Sequence, residues 1–180
     1  MAGAIYGIDH VKLMAAMESG ATAGQYPDFD TLASGFRINA IVKDSFSFSD
    51  TAPSTNDIEV EDMDAFYAQL QSDNGSETFT LQTYDMNKEA YEYLLGYSTN
   101  GAWNEETPGF KLGNQALEIK SKALDSFPAR IFQWARLSCK VTKTGTLGKS
   151  GFPNFNLEFT KLANLDTTGA EISGARWKTV

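Results

Sequence analysis

From Arg130 to Thr142 the residues alternate with a period of two, a pattern that only an extended strand sorts onto two faces. Ile131, Ala135, Leu137, Cys139 and Val141 fall on one face. Arg130, Phe132, Trp134, Arg136, Ser138 and Lys140 fall on the other. Gln133 interrupts the first set, and Phe132 and Trp134 interrupt the second. The second face is therefore expected to meet another packed layer or an interface instead of water alone.

Shorter alternations recur in Phe36–Ala40, at Phe46 and Phe48, at Ile58 and Val60, at Phe79, Leu81 and Thr83, at Leu117 and Ile119, and at Phe155, Leu157 and Phe159. Together they predict a mainly β fold, a sandwich or barrel of about nine strands. Twelve Phe and seven Tyr against five Pro suit pleated, aromatic-packed surfaces. Asn74-Gly75 favours the positive φ of a two-residue turn, which predicts that the strands on either side pair as a hairpin. One segment has helical spacing: after Asp85 as cap, residues Asn87 to Leu95 place Ala90, Tyr91, Leu94 and Leu95 on one face, and Gly96 stops the helix. A single short flanking α-helix is expected to cover one end or face of the sheet.

At 180 residues, with no repeat and no linker composition, the chain reads as one domain spanning 1–180. Two stretches read as long connections: Ala15 to Gly35, with Tyr26, Pro27 and Phe29 among small residues, and Ser49 to Asn56, containing Pro53. Both are expected to act as assembly loops, mobile alone and ordered against a partner, because they carry little apolar surface to offset their ordering entropy. Residues 166–180 read as a C-terminal arm. Asp57, Glu59, Glu61, Asp62 and Asp64, interleaved with Ile58 and Val60, read as an acidic strand edge or lumen surface.

Catalytic and metal-binding patterns are weak. His10 is the sole histidine, so paired-imidazole sites within one chain are excluded, and a structural or surface role is expected. Gly148-Lys149-Ser150 resembles the end of a phosphate loop, but the required earlier glycine is Lys143. Gly96-Tyr97-Ser98-Thr99-Asn100 lacks the closing glycine of a nucleophile elbow and follows a helix. The acidic run lacks the spacing and turn glycine of a calcium loop. No catalytic residue, cofactor or metal is expected, so the chain reads as a non-enzyme. Cys139 is the only cysteine, which excludes an internal disulfide framework. The net charge of −8, from 15 basic and 23 acidic side chains, argues against gripping phosphate backbones, although nucleic acid could still pass without adhering. The apolar run Leu13–Met17 is too short to span a bilayer, and no secretory signal is expected at the N-terminus.

The order of segments resembles the major tail tube proteins of long-tailed bacteriophages. It does so in Ile5-Tyr6-Gly7-Ile8-Asp9, in Asp44-Ser45-Phe46-Ser47-Phe48-Ser49, and in Ile58-Glu59-Val60-Glu61. It continues in Phe79-Thr80-Leu81-Gln82-Thr83-Tyr84-Asp85, in Tyr93-Leu94-Leu95-Gly96 and in Ala116-Leu117-Glu118-Ile119-Lys120. The resemblance implies rings of identical subunits, hexameric in that family, stacked into a hollow tube through which DNA passes as cargo. It also implies tape-measure and terminator proteins as partners, the virion tail as location, and synthesis in the host bacterial cytoplasm. Two alternatives stay open: a tube subunit of a contractile secretion or tailocin-like machine, and a monomeric ligand-binding β-barrel.

Overall fold

The computed structural model describes residues 6–31, 35–58, 68–73, 75–124, 127–146 and 152–180. The fold is mainly β. Its strands are β1 (Tyr6–Ala15), β2 (Phe36–Ile38), β3 (Ser47–Thr51), β4 (Ser54–Ile58), β5 (Ala68–Asp73), β6 (Ser76–Thr83), β7 (Tyr97–Asn100) and β8 (Trp103–Glu106). They continue with β9 (Gln115–Lys122), β10 (Arg130–Thr144), β11 (Asn154–Lys161), β12 (Asn164–Leu165), β13 (Glu171–Ile172) and β14 (Ala175–Thr179). Among the described residues there is one α-helix, α1 (Lys88–Leu95), between β6 and β7. More strands form than the sequence predicts, because several of the additional ones are two to five residues long and leave no readable period.

The main sheet is antiparallel and runs β2-β1-β9-β10-β11-β6-β3. Strand β10 is long enough to serve two neighbours on one edge: β14 pairs with Arg130–Trp134 and β11 with Leu137–Thr144. After β2 the chain crosses directly to β6, where Ile41 bridges Thr83 and Val42 N–H donates to Gln82 O at 2.9 Å, so the sheet curls round on itself. The crossing places Ala40 at φ 48, a left-handed conformation that costs a residue with a Cβ roughly 1–2 kcal/mol. It is held by Thr83 Oγ1 donating to Asn39 O at 2.5 Å and by Asn39 N–H donating to the Asp85 carboxylate at 3.2 Å. Val11, Leu13, Ile38, Leu81, Leu117 and the phenylalanines 79, 155 and 159 fill the interior.

The broken alternation in β10 has a local cause. A register shift between Trp134 and Leu137 inserts an irregularity that reverses the phase of the strand. Phe132 and Trp134 before it, and Leu137, Cys139 and Val141 after it, all pack on the core. The second face therefore needs no separate layer to cover Phe132 and Trp134.

The strands on either side of Asn74-Gly75 do not pair with each other as expected, and Asn74 itself lies outside the described residues. Strand β6 pairs with β3 and β11, whereas β5 pairs with β4. Thr51 opposes Ser76 and Ser54 opposes Asp73, and residues 52–53 join β3 to β4. Gly75, at φ 71, lies where an added Cβ would collide with the Thr51 carbonyl. The positive φ of Gly75 thus falls where the backbone passes close to the Thr51 carbonyl, next to the start of β6. Ser49–Asn56 is accordingly strand on both sides of an exposed Pro53, not a long loop. Residues 166–180 are a turn followed by β13 and β14, which joins the main sheet.

Helix α1 is capped by Asn87, whose side chain accepts from Ala90 N–H at 2.8 Å. Asp85, the expected cap, is buried and accepts from Asn39 instead. Ala90 and Leu94 face the core, and Gly96 ends the helix at φ 66. A Cβ at Gly96 would fall within the Phe110 ring. Gly96→Ala is therefore expected to destabilise the chain by roughly 2 kcal/mol or more, from backbone strain plus overpacking. A shift in the urea midpoint at constant slope would measure it, and an unchanged midpoint would contradict the packing described.

Candidate functional site

Strand alternation puts Leu117 and Ile119 of β9 into the core and Glu118 on the opposite face. Register then aligns a row of polar residues across four strands. Lys12 of β1 and Gln133 of β10 both oppose Glu118, and Arg176 of β14 opposes Gln133. Glu118 is only 4% exposed. Its Oε1 lies 3.1 Å from His10 Nε2 and 3.2 Å from Lys12 Nζ, and its Oε2 accepts from Gln133 Nε2 at 2.6 Å. Gln133 Oε1 in turn accepts from Arg176 Nε at 2.7 Å, and the Arg176 guanidinium stacks 3.9 Å from the Tyr26 ring centroid. Burial pushes the Glu118 carboxyl upward, but bonds from Gln133 and His10 and the Lys12 charge outweigh it and hold it below its ordinary value.

Residues 26–30 lie across this row. Lys12 Nζ donates to Phe29 O at 3.0 Å, and Phe29 is buried with Met14 and Ala116 in a small second core. Asp28 organises the bend by accepting from Asp30 N–H at 3.0 Å and from Thr31 Oγ1 at 3.1 Å. Between this segment and the strands lies an open cavity of about 700 Å³, whose walls include Glu118, Lys120, Ile131, Arg176 and Lys178.

The predicted assembly residues thus separate. Pro27 and Phe29 are buried within their own chain, Tyr26 is partly buried with its hydroxyl donating to Ser173 O at 3.2 Å, and Pro53 is exposed. The expectation that 15–35 lacks partners of its own omitted the apolar surface that Met14 and Ala116 supply. Asp57 lies in β4 opposite Gln69. Glu59, Glu61, Asp62 and Asp64 lie outside the described residues. His10 binds carboxylates on both sides, Asp9 and Glu118, within the polar row. Cys139 is partly buried, and burial pushes its thiol up to about 12.

The row Lys12–Glu118–Gln133–Arg176 is invisible to a search for local motifs, because its members meet only through register. The β7-β8 hairpin carried a readable signal in Gly101, which opens the two-residue turn Gly101-Ala102 between the opposed Asn100 and Trp103, at φ 61. Among the described residues no group of three His, Cys, Asp or Glu side chains could hold a metal ion. No helix among them is long and apolar enough to cross a membrane. No protein-family model matches the chain, and no curated protein matches it.

Proposed function

We propose that the chain is a non-enzymatic structural protein that assembles with copies of itself, as the tube-forming subunit of a bacteriophage-type tail. The observation that carries this reading is the set of open strand edges. Among the described residues, β4-β5 and β7-β8 pair only within themselves, and β3 and β14 each pair along one edge. Unpaired edges are templates for association, which monomeric proteins blunt or cover. Large apolar side chains lie on three of these strands: Trp103 of β8 is 75% exposed and Trp177 of β14 63%, and Phe48 of β3 is also exposed. Such surface in a soluble protein marks sites of contact. The acidic balance suits a conduit past which DNA slides. A tube subunit of a contractile secretion or tailocin-like machine would share all of this and differ in cargo.

One observation favours a second reading, a monomeric ligand-binding barrel: the cavity of about 700 Å³ is within the usual size range for small-molecule sites. Its walls carry Glu118, Lys120, Arg176 and Lys178, whereas such sites are mostly apolar. Light scattering and negative-stain microscopy of the purified protein separate the two. Rings or tubes are expected, and a strictly monomeric species across a wide concentration range would overturn the assembly reading.

A further inference from the structure

Two exposed features on opposite sides of the charge balance match one another. Strand β8, Trp103-Asn104-Glu105-Glu106, is exposed along its whole length, and among the described residues it pairs with β7 alone. Alternation sets Trp103 and Glu105 on one face of this hairpin. On the main sheet, Lys120 and Lys178 both oppose Ile131, one from each side, so two ammonium groups flank a partly buried apolar residue at the cavity wall. Strand β14, which carries Lys178, is also exposed throughout and, among the described residues, pairs with β10 alone. Lys120, Lys178 and Arg176 share the cavity lining with Asp28, Asp30 and Glu118, and Glu118 is already bound by His10, Lys12 and Gln133, so the two lysines at Ile131 form a small basic patch in a chain of net charge −8.

We propose that the β7-β8 hairpin of one copy docks at this patch on a second copy, with the Trp103 indole against Ile131 and Glu105 between Lys120 and Lys178. The inference rests on the self-assembly reading and names the contact within it. An indole supplies apolar area and a π face that attracts ammonium groups, and the carboxylate two residues on supplies the opposite charge. The contact is heterologous: each copy offers the hairpin on one surface and the lysine patch on another. Contacts of this kind propagate into closed rings or open filaments. Complementary charge fixes which surfaces meet more than how tightly they hold.

Charge reversal tests the pairing. Glu105→Lys and Lys178→Glu are each expected to raise the concentration needed for assembly roughly tenfold or more. Carrying both changes in one chain is expected to restore assembly, since every contact then keeps opposite charges. Both positions are exposed, so each variant should keep the wild-type melting temperature, which is measured alongside. As a second measurement in a Cys139→Ser background, chains bearing Glu105→Cys are mixed with chains bearing Lys178→Cys and oxidised. A cross-linked dimer of the two is expected. If wild-type protein assembles but neither reversal weakens it and no mixed dimer forms, this docking is wrong while self-assembly stands. If wild-type protein remains monomeric throughout, both fall.

Discussion

Glu118→Ala should be among the most damaging single substitutions in the chain, costing about 3–5 kcal/mol. The carboxylate is buried and receives His10, Lys12 and Gln133. Lys12 is itself mostly buried, so deleting its partner leaves an ammonium group largely away from water with only the exposed Asp30 carboxylate, 3.9 Å away, as counter-charge. Gln133 loses its acceptor, and with it the restraint that aligns its other end with Arg176. A loss of this size is a large share of the stability of an ordinary domain. Urea unfolding of the monomer measures it. A double-mutant cycle with Lys12→Met then tests the cause: most of the penalty should disappear when the ammonium group is removed as well. A cost below about 1 kcal/mol for Glu118→Ala would mean the row contributes little.

The same carboxylate sets a pH dependence. Its folded pKa is lowered, so its contribution is fully present above the ordinary glutamate range and is lost as the pH falls through the folded value. Glu18 is lowered too, chiefly by a hydrogen bond from Asn114, with burial opposing and Arg136 assisting. Two groups therefore act in the same acidic window. Glu118→Gln isolates the first of them, since its stability should decline less steeply with acid than that of the wild-type chain.

The strands with a full period of two were legible in the sequence because burial on one face is a local property. Phe155, Leu157 and Phe159 are core residues, as their spacing predicts. The helix was legible for the same reason, although its cap was misplaced by two residues, since Asp85 and Asn87 are both good caps and tertiary contacts drew Asp85 to Asn39. Features that depend on register were not legible. The phase reversal in β10, the separate partners of β5 and β6 and the joining of β14 to β10 each depend on which strand lies alongside. The polar row has the same origin. Its His10–Glu118 contact joins residues 108 positions apart, and nothing in either neighbourhood marks them as partners.

The segment 15–35 is where sequence and structure differ most in consequence, and Phe29→Ala decides between them. A phenylalanine that is 2% exposed and packed on Met14 and Ala116 should cost about 3 kcal/mol or more to truncate. The loss would appear in the isolated monomer, because every contact named here is within one chain. Tyr26→Ala, which removes the Arg176 stacking and the bond to Ser173 O at a more exposed site, should cost less. Local order can be read independently from the Gly24 amide, which donates to Met17 O at 2.8 Å, while the Gly24 carbonyl accepts from the buried Asn164 side chain at 2.8 Å. That amide is expected to exchange slowly in the monomer. Deleting Gly20 to Asp28 would remove this anchor and pull Phe29 from its place, so the deletion should unfold or strongly destabilise the subunit. The opposite result, a Phe29→Ala cost below about 1 kcal/mol with fast exchange at Gly24, would mean that the segment docks only when a neighbouring copy provides the surface.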